Sequence, residues 1–173
     1  GQSEAEALTP TQEFVTQIIT ETAKAGVLCS FIPISGNTVG GSLPAPGVFD
    51  CDRHLIVVET GYAKKSWLGV LAHEFGHFQQ WKSACPVWQA THLDGDVYAD
   101  NFVDYWLTGV CELSEEQRSR YFGMSQNVEL DCERRALRLL RRWPELIVDL
   151  EAYTICASAY VYSYTVAAVE RLW

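Results

Sequence analysis

The chain has 173 residues, 48% of them hydrophobic and 12% aromatic, enough to bury a core and too apolar for a disordered segment. Its formal net charge of −9 argues against a nucleic-acid backbone or an anionic membrane as main partner, since both select a positive face. No run approaches the roughly 18 apolar residues of a membrane span, and the acidic start GQSEAEALTP lacks the basic and apolar regions of a signal peptide. A cytoplasmic protein is therefore expected. The six cysteines (Cys29, Cys51, Cys85, Cys111, Cys132, Cys156) contain no CxxC pair, which excludes a zinc ribbon. Six in a chain this long is below disulfide-scaffold density. Reduced thiols are expected, with Cys132 and Cys156 on apolar helix faces.

Taken in chain order, Thr9, Pro10 and the helically spaced Phe14, Val15, Ile18 and Ile19 predict a helix that Gly26 stops. VLCSFIPI (27–34) reads as a strand and the following SGNTVGGSLPAPG as a loop. HLIVVET (54–60) is a second strand, apolar enough to be buried on both faces. After Gly61 a helix is expected from about Lys64 to Trp81. SACPVWQATHLDGD reads as irregular, punctuated by Pro86 and Gly95, and VYADNFVDYWLTG (97–109) as helical up to Gly109. SEEQRSRYF begins another helix, with Ser114 as cap and Gln117 in the reciprocal position. A further long helix covers about 125–142 and ends before Pro144. The last runs from about Asp149 to the end. The class is α+β, mostly α-helical, a single domain over 1–173 with a small N-terminal β-sheet. The basic RRALRLLRR (134–142) lies on an amphipathic helix and reads as a solvated face rather than a phosphate patch.

WLGVLAHEFGHFQQW (67–81) carries the chemistry. Residues four apart on a helix face the same way, so His73 and His77 can offer two imidazoles to one zinc ion. Glu74 points to the neighbouring edge, within reach of a metal-bound water; this is the content of the HExxH pattern. Gly76 in the helix interior costs about 1 kcal/mol relative to alanine, a sign of close packing there. A catalytic zinc needs a third protein ligand. The extended pattern HExxHxxGxxH is excluded, because Gln80 and Ser83 stand where it requires glycine and histidine.

His92 is the next histidine, close to Asp94, Asp96, Asp100 and Asp104. Further on, VELDCERRALRLL places Glu129 and Glu133 four apart with the small Cys132 between them. Such a helix can pack on the first, supply Glu129 to zinc and leave Glu133 to hydrogen-bond the outer nitrogen of a ligand histidine. Asp131 or a residue of 92–104 is the alternative ligand. The reading without metal is an acidic patch paired with Arg134, Arg135 and Arg138. DGDVYAD lacks the full EF-hand spacing and reads as acidic helix surface rather than a calcium loop.

HEFGH followed by ELDCE resembles the gluzincin metallopeptidases, which join HExxH to a downstream glutamate helix. In pattern it is most similar to the minimal ImmA/IrrE-type peptidases, where an apolar strand also precedes AHExGH and a later helix reads ExEA[ND]xFA..LL. The likeness covers about residues 54–81 and 127–142, less than a third of the chain. Cys132 stands where that family has alanine, and Glu133 where it has aspartate or asparagine. An inserted helical segment (about 84–123) lengthens the gap between His77 and Glu129. The resemblance implies a zincin-like fold, zinc on His73, His77 and Glu129, and hydrolysis; it does not carry over the substrate, for which a peptide or protein is the expectation.

In that mechanism zinc lowers the pKa of its water from 15.7 towards roughly 7. Glu74 takes the proton and later delivers it to the leaving amine. The donor for the developing oxyanion would be His92 or a tyrosine of AYTICASAYVYSY, Tyr160 first; core packing is the plainer use of those rings. Substrate is expected to add as a strand to a sheet edge, either HLIVVET or VLCSFIPI. The other readings are a zinc hydrolase acting on a non-peptide, a binding module on a degenerate peptidase fold, and a regulatory peptidase for one protein partner. A purely structural metal site has no use for Glu74.

Overall fold

A computed structural model describes residues 7–39, 45–62, 66–93, 97–146 and 148–172. Helix α1 (Pro10–Ala23) starts on a capping box in which Thr9 and Gln12 exchange hydrogen bonds. The chain turns after it at Gly26, whose φ of +73° a glycine adopts without strain. Strands β1 (Leu28–Ile32), β2 (Gly47–Asp50) and β3 (Leu55–Glu59) form a sheet of order β1-β3-β2, β1 parallel and β2 antiparallel to β3. HLIVVET is thus the central strand and cannot be an edge. The edge nearest the histidines is β2, four residues that follow directly on the predicted loop and are too short to show an alternating pattern.

Helix α2 (Trp67–Ser83) carries the histidine motif; Lys64, its expected start, lies outside the described residues, as do Asp94, Gly95 and Asp96. The segment read as irregular contains a short helix, α3 (Pro86–Ala90), and α4 (Ala99–Leu107) follows. Helix α5 (Glu115–Leu140) is one continuous helix where two were expected. Gly123 and Ser125 weaken the pattern at the join, but the cost of about 1 kcal/mol for a helical glycine is small beside the burial of Phe122, Val128 and Ala136 on either side. Helix α6 (Leu150–Glu170) begins on Asp149, whose side chain accepts from Ala152 N–H at 3.0 Å.

The main core lies between the sheet and helices α1, α2 and α5, with Phe14, Ile56, Val58, Leu71, Phe75 and Phe78 among its buried side chains. A second cluster of Val103, Trp106, Phe122, Tyr164 and Ala167 joins α4, α5 and α6. The 84–123 segment, which the family resemblance leaves unexplained, therefore builds the second cluster. The cysteines are free thiols; Cys132 is buried, whereas Cys156 is exposed and not on a packed apolar face as expected. Among the described residues no helix is long and apolar enough to cross a membrane.

Candidate metal centre

Helices α2 and α5 cross in close contact at Gly76. A β-carbon there would lie 2.8 Å from Cys132 Sγ and 3.1 Å from the Cys132 carbonyl oxygen. The Cys132 thiol donates to the His73 carbonyl at 3.0 Å. This approach brings the α2 histidines against the α5 glutamates. His73 Nε2 and His77 Nε2 are 3.1 Å apart. Glu129 sets one oxygen 3.3 Å from His73 Nε2 and the other 3.4 Å from His77 Nε2.

The outer nitrogens are engaged. His73 Nδ1 lies 3.0 Å from Glu133 Oε1, and Tyr153 donates to the other Glu133 oxygen at 2.6 Å. His77 Nδ1 lies 2.9 Å from Gln80 Oε1. The Gln80 amide in turn donates to the Val128 carbonyl and to Asp131, both at 2.9 Å. These partners make each Nδ1 the N–H donor and leave both Nε2 lone pairs facing one another. With both rings neutral, two lone pairs and a carboxylate converge, an arrangement that could hold a cation.

The pocket's response to protons has the same cause. Burial works against charge on His73 and His77, but Cys132 and Glu129 beside them raise both pKa values well above the ordinary imidazole range. Burial likewise opposes charge on Glu129, and the two histidines hold its carboxyl well below the usual range. Glu129 Oε2 is buried and makes no hydrogen bond among the described residues. The Nε2–Nε2 separation of 3.1 Å and the 3.3 Å from His73 Nε2 to Glu129 Oε2 are each close to the edge of a tetrahedron with bonds of about 2.0–2.1 Å, roughly 3.3 Å.

His73, His77 and Cys132 also offer ligand atoms within 4.8 Å of one another and could hold a metal ion. Sequence reading gave Cys132 only a packing role. Its thiol is committed to the His73 carbonyl, while Glu129 faces both Nε2 atoms.

Glu74 is buried beside this cluster. Burial raises its pKa against the opposing pull of His73 and His77, and the Phe49 backbone N–H bonds its carboxylate. Gly47 lets β2 come this close, since a β-carbon there would lie 2.5 Å from Val70 Cγ1 and 3.0 Å from Glu74 Oε1. A cleft of about 830 Å³ runs past the cluster, with β2 on one side and Trp88, Asp100, Tyr160 and Tyr164 on others.

Tyr160 lies in this cleft, its ring 6.1 Å from that of His73, and its hydroxyl is 3.3 Å from that of Tyr164. Burial and then Glu129 raise its pKa, so the phenol keeps its proton. His92 is not brought to the cluster. It is exposed, its Nδ1 lies 3.1 Å from the Trp88 carbonyl, and it lines a separate pocket with Arg120 and Tyr121. It forms a backbone bridge with Tyr98, and the two rings lie 4.5 Å apart.

Asp131 binds Gln80 and Arg135 rather than the histidines, and Asp100 accepts from Ser125. Sequence reading passed over Gln80 and Tyr153. Gln80 sits three residues after His77 on one helix face, a spacing that signals contact; Tyr153 comes from another helix, and no spacing announces it. No family model, curated protein or solved structure matches the chain.

Proposed function

We propose that this chain is a zinc-dependent metallopeptidase of the gluzincin type, with His73, His77 and Glu129 as the metal ligands. The observation that carries the reading is the convergence of two Nε2 atoms and the Glu129 carboxylate at 3.1–3.4 Å, with buried Glu74 beside them in one cleft. Bound zinc would supply a Lewis acid able to activate water at neutral pH. The remaining work falls to the chain's own groups. Glu74, its pKa raised by burial, is suited to hold a proton drawn from the nucleophile and release it to a leaving amine. Tyr160, kept protonated, is suited to donate to a developing oxyanion.

The edge strand favours a peptide as substrate. Glu59 N–H donates to the Pro46 carbonyl across the β2–β3 ladder at 2.8 Å. Alternation along β2 then turns the backbone of Gly47 and Phe49 outward, toward the cleft; the Phe49 N–H is taken by Glu74, so Gly47 is the residue whose N–H and carbonyl would pair with a substrate strand. An extended chain laid along that edge would pass the metal ligands.

A second reading, a metal-binding module without hydrolysis, is favoured by Cys132, which with the two histidines would complete a protein ligand set. The hydrogen bond of its thiol to the His73 carbonyl and the placement of Glu74 favour the enzyme.

Incubating the zinc-loaded chain with an unstructured protein such as casein, and reading products by mass spectrometry, separates the two. New peptide termini that disappear on chelation and return with zinc support the peptidase. A chain that binds zinc yet cleaves none of a broad set of peptides supports the module.

A further inference from the structure

Helix α6 is apolar on two opposite sides. Its inner side carries Ala157, Val161, Tyr164 and Ala167, all buried. Its outer side carries Ile155, Ala159, Tyr162, Val166 and Val169, and the four large residues are 63%, 70%, 55% and 69% exposed. These five follow one another in alternating steps of four and three residues, the spacing of a coiled-coil seam. A helix apolar all round is normally buried all round. Here the outer seam is left to water.

Charge narrows what can cover it. An anionic membrane surface requires Lys or Arg along the flanks, and α6 has none between Leu150 and Glu170. Its acidic residues, Glu151 and Glu170, stand only at the two ends, so a charged partner finds little to pair with along the seam. Ser158, Ser163 and Thr165 flank the seam as small neutral residues, and they let a second seam of the same kind approach.

The seam is also symmetric: Ile155 and Val169 lie equally far along the helix on either side of Tyr162. Two copies packed antiparallel about a two-fold axis at Tyr162 set Ile155 of each against Val169 of the other. With Ala159, the exposed seam amounts to on the order of 500 Å² of apolar surface, towards the upper end for a lone chain. Doubled across the axis, it reaches the roughly 1,000 Å² that a specific interface needs.

We propose that the chain forms a homodimer through α6, with the outer seam from Ile155 to Val169 packed antiparallel on its own copy. The inner side of the same helix carries Tyr153 and Tyr160, so the dimer braces one wall of the cleft from behind. The proposal does not depend on the catalytic reading.

Light scattering on the full chain at high micromolar concentration tests it. The expected mass is twice 19.4 kDa. Tyr162→Glu sets two carboxylates against each other at the axis, and its expected mass is 19.4 kDa with an unchanged far-ultraviolet circular dichroism spectrum. Val169→Glu, at the seam's end, is expected to do the same and stands in if the first variant aggregates. A wild type of 19.4 kDa, or soluble variants that both keep the doubled mass, would overturn the proposal.

Discussion

Glu133 holds His73 across the α2–α5 crossing, carboxylate to Nδ1 at 3.0 Å, and is itself held by the Tyr153 hydroxyl at 2.6 Å. Each link removes freedom from the next, so the orientation of His73 Nε2 depends on a residue of a third helix. Losing such an outer partner typically costs 10- to 100-fold in metal affinity. Tyr153→Phe removes only the terminal hydroxyl and is expected near the lower figure; Glu133→Ala is expected near the upper one. Competition against a zinc-chelating dye measures both. Unchanged affinity in Glu133→Ala would detach this chain of contacts from the metal.

Among the described residues the imidazoles' Nδ1 partners are Glu133 and Gln80 rather than Glu74, so its effect on chemistry separates from its effect on the site. Glu74→Gln keeps the shape and removes the proposed base. Peptide hydrolysis is expected to fall by about 10²–10⁴-fold, the usual scale for a positioned general base, while zinc stoichiometry stays the same. Activity within about threefold of wild type would remove Glu74 from its assigned role.

Gly76 and Cys132 meet with no room for a side chain. Gly76→Ala must separate α2 from α5, and overpacking of this kind costs about 1–3 kcal/mol. Urea unfolding of Gly76→Ala, Cys132→Ala and the double variant gives the coupling. The double variant is expected to recover part of the loss, because the sulfur at 2.8 Å goes while the Cys132 carbonyl oxygen at 3.1 Å stays.

Glu59 supplies a test of stability against pH, away from the metal. Its carboxylate accepts from the backbone N–H groups of Gly36, Asn37 and Thr38 at 2.7, 2.9 and 2.5 Å. The Thr38 and Tyr62 hydroxyls add bonds of 2.6 and 3.0 Å. Burial opposes the charge, but the bonds from Gly36, Thr38 and Tyr62 bring the pKa down from 4.5 to about 2. A pKa lowered by folding stabilises the chain fully above the unfolded value and loses that contribution as pH falls through the folded one. Thermal stability is therefore expected to decline between about pH 4.5 and 2. In Glu59→Gln the overall stability is lower and the decline across that window shallower. An equally steep decline in the variant would assign the acid sensitivity to other carboxylates.

What the sequence disclosed follows from where the interactions are local. The turn-by-turn spacing of His73 and His77, and of Glu129 and Glu133, puts each pair on one helix face, and the costly Gly76 marks the crossing that Cys132 fills. The Ser114 capping box is read from a three-residue spacing in the same way, and the start of α1 from Thr9 and Pro10. Where the determinant is tertiary, the reading fails. GVFD has no flanking pattern, so the edge strand along the cleft stays hidden until its pairing with β3 is seen. His92 is near the motif in sequence, yet it pairs with Tyr98 and lines another pocket. Gln80 and Tyr153 gain their roles only once α5 lies across α2 and α6.

The central claim is that Glu129, with the two histidines, makes the metal site. Elemental analysis of chain purified without chelator, alongside Glu129→Ala and Cys132→Ala, tests it most directly. About one zinc per chain in the wild type and in Cys132→Ala, with most of it lost in Glu129→Ala, is the expected result. Zinc kept by Glu129→Ala and lost by Cys132→Ala would contradict the account and make the thiol the third ligand.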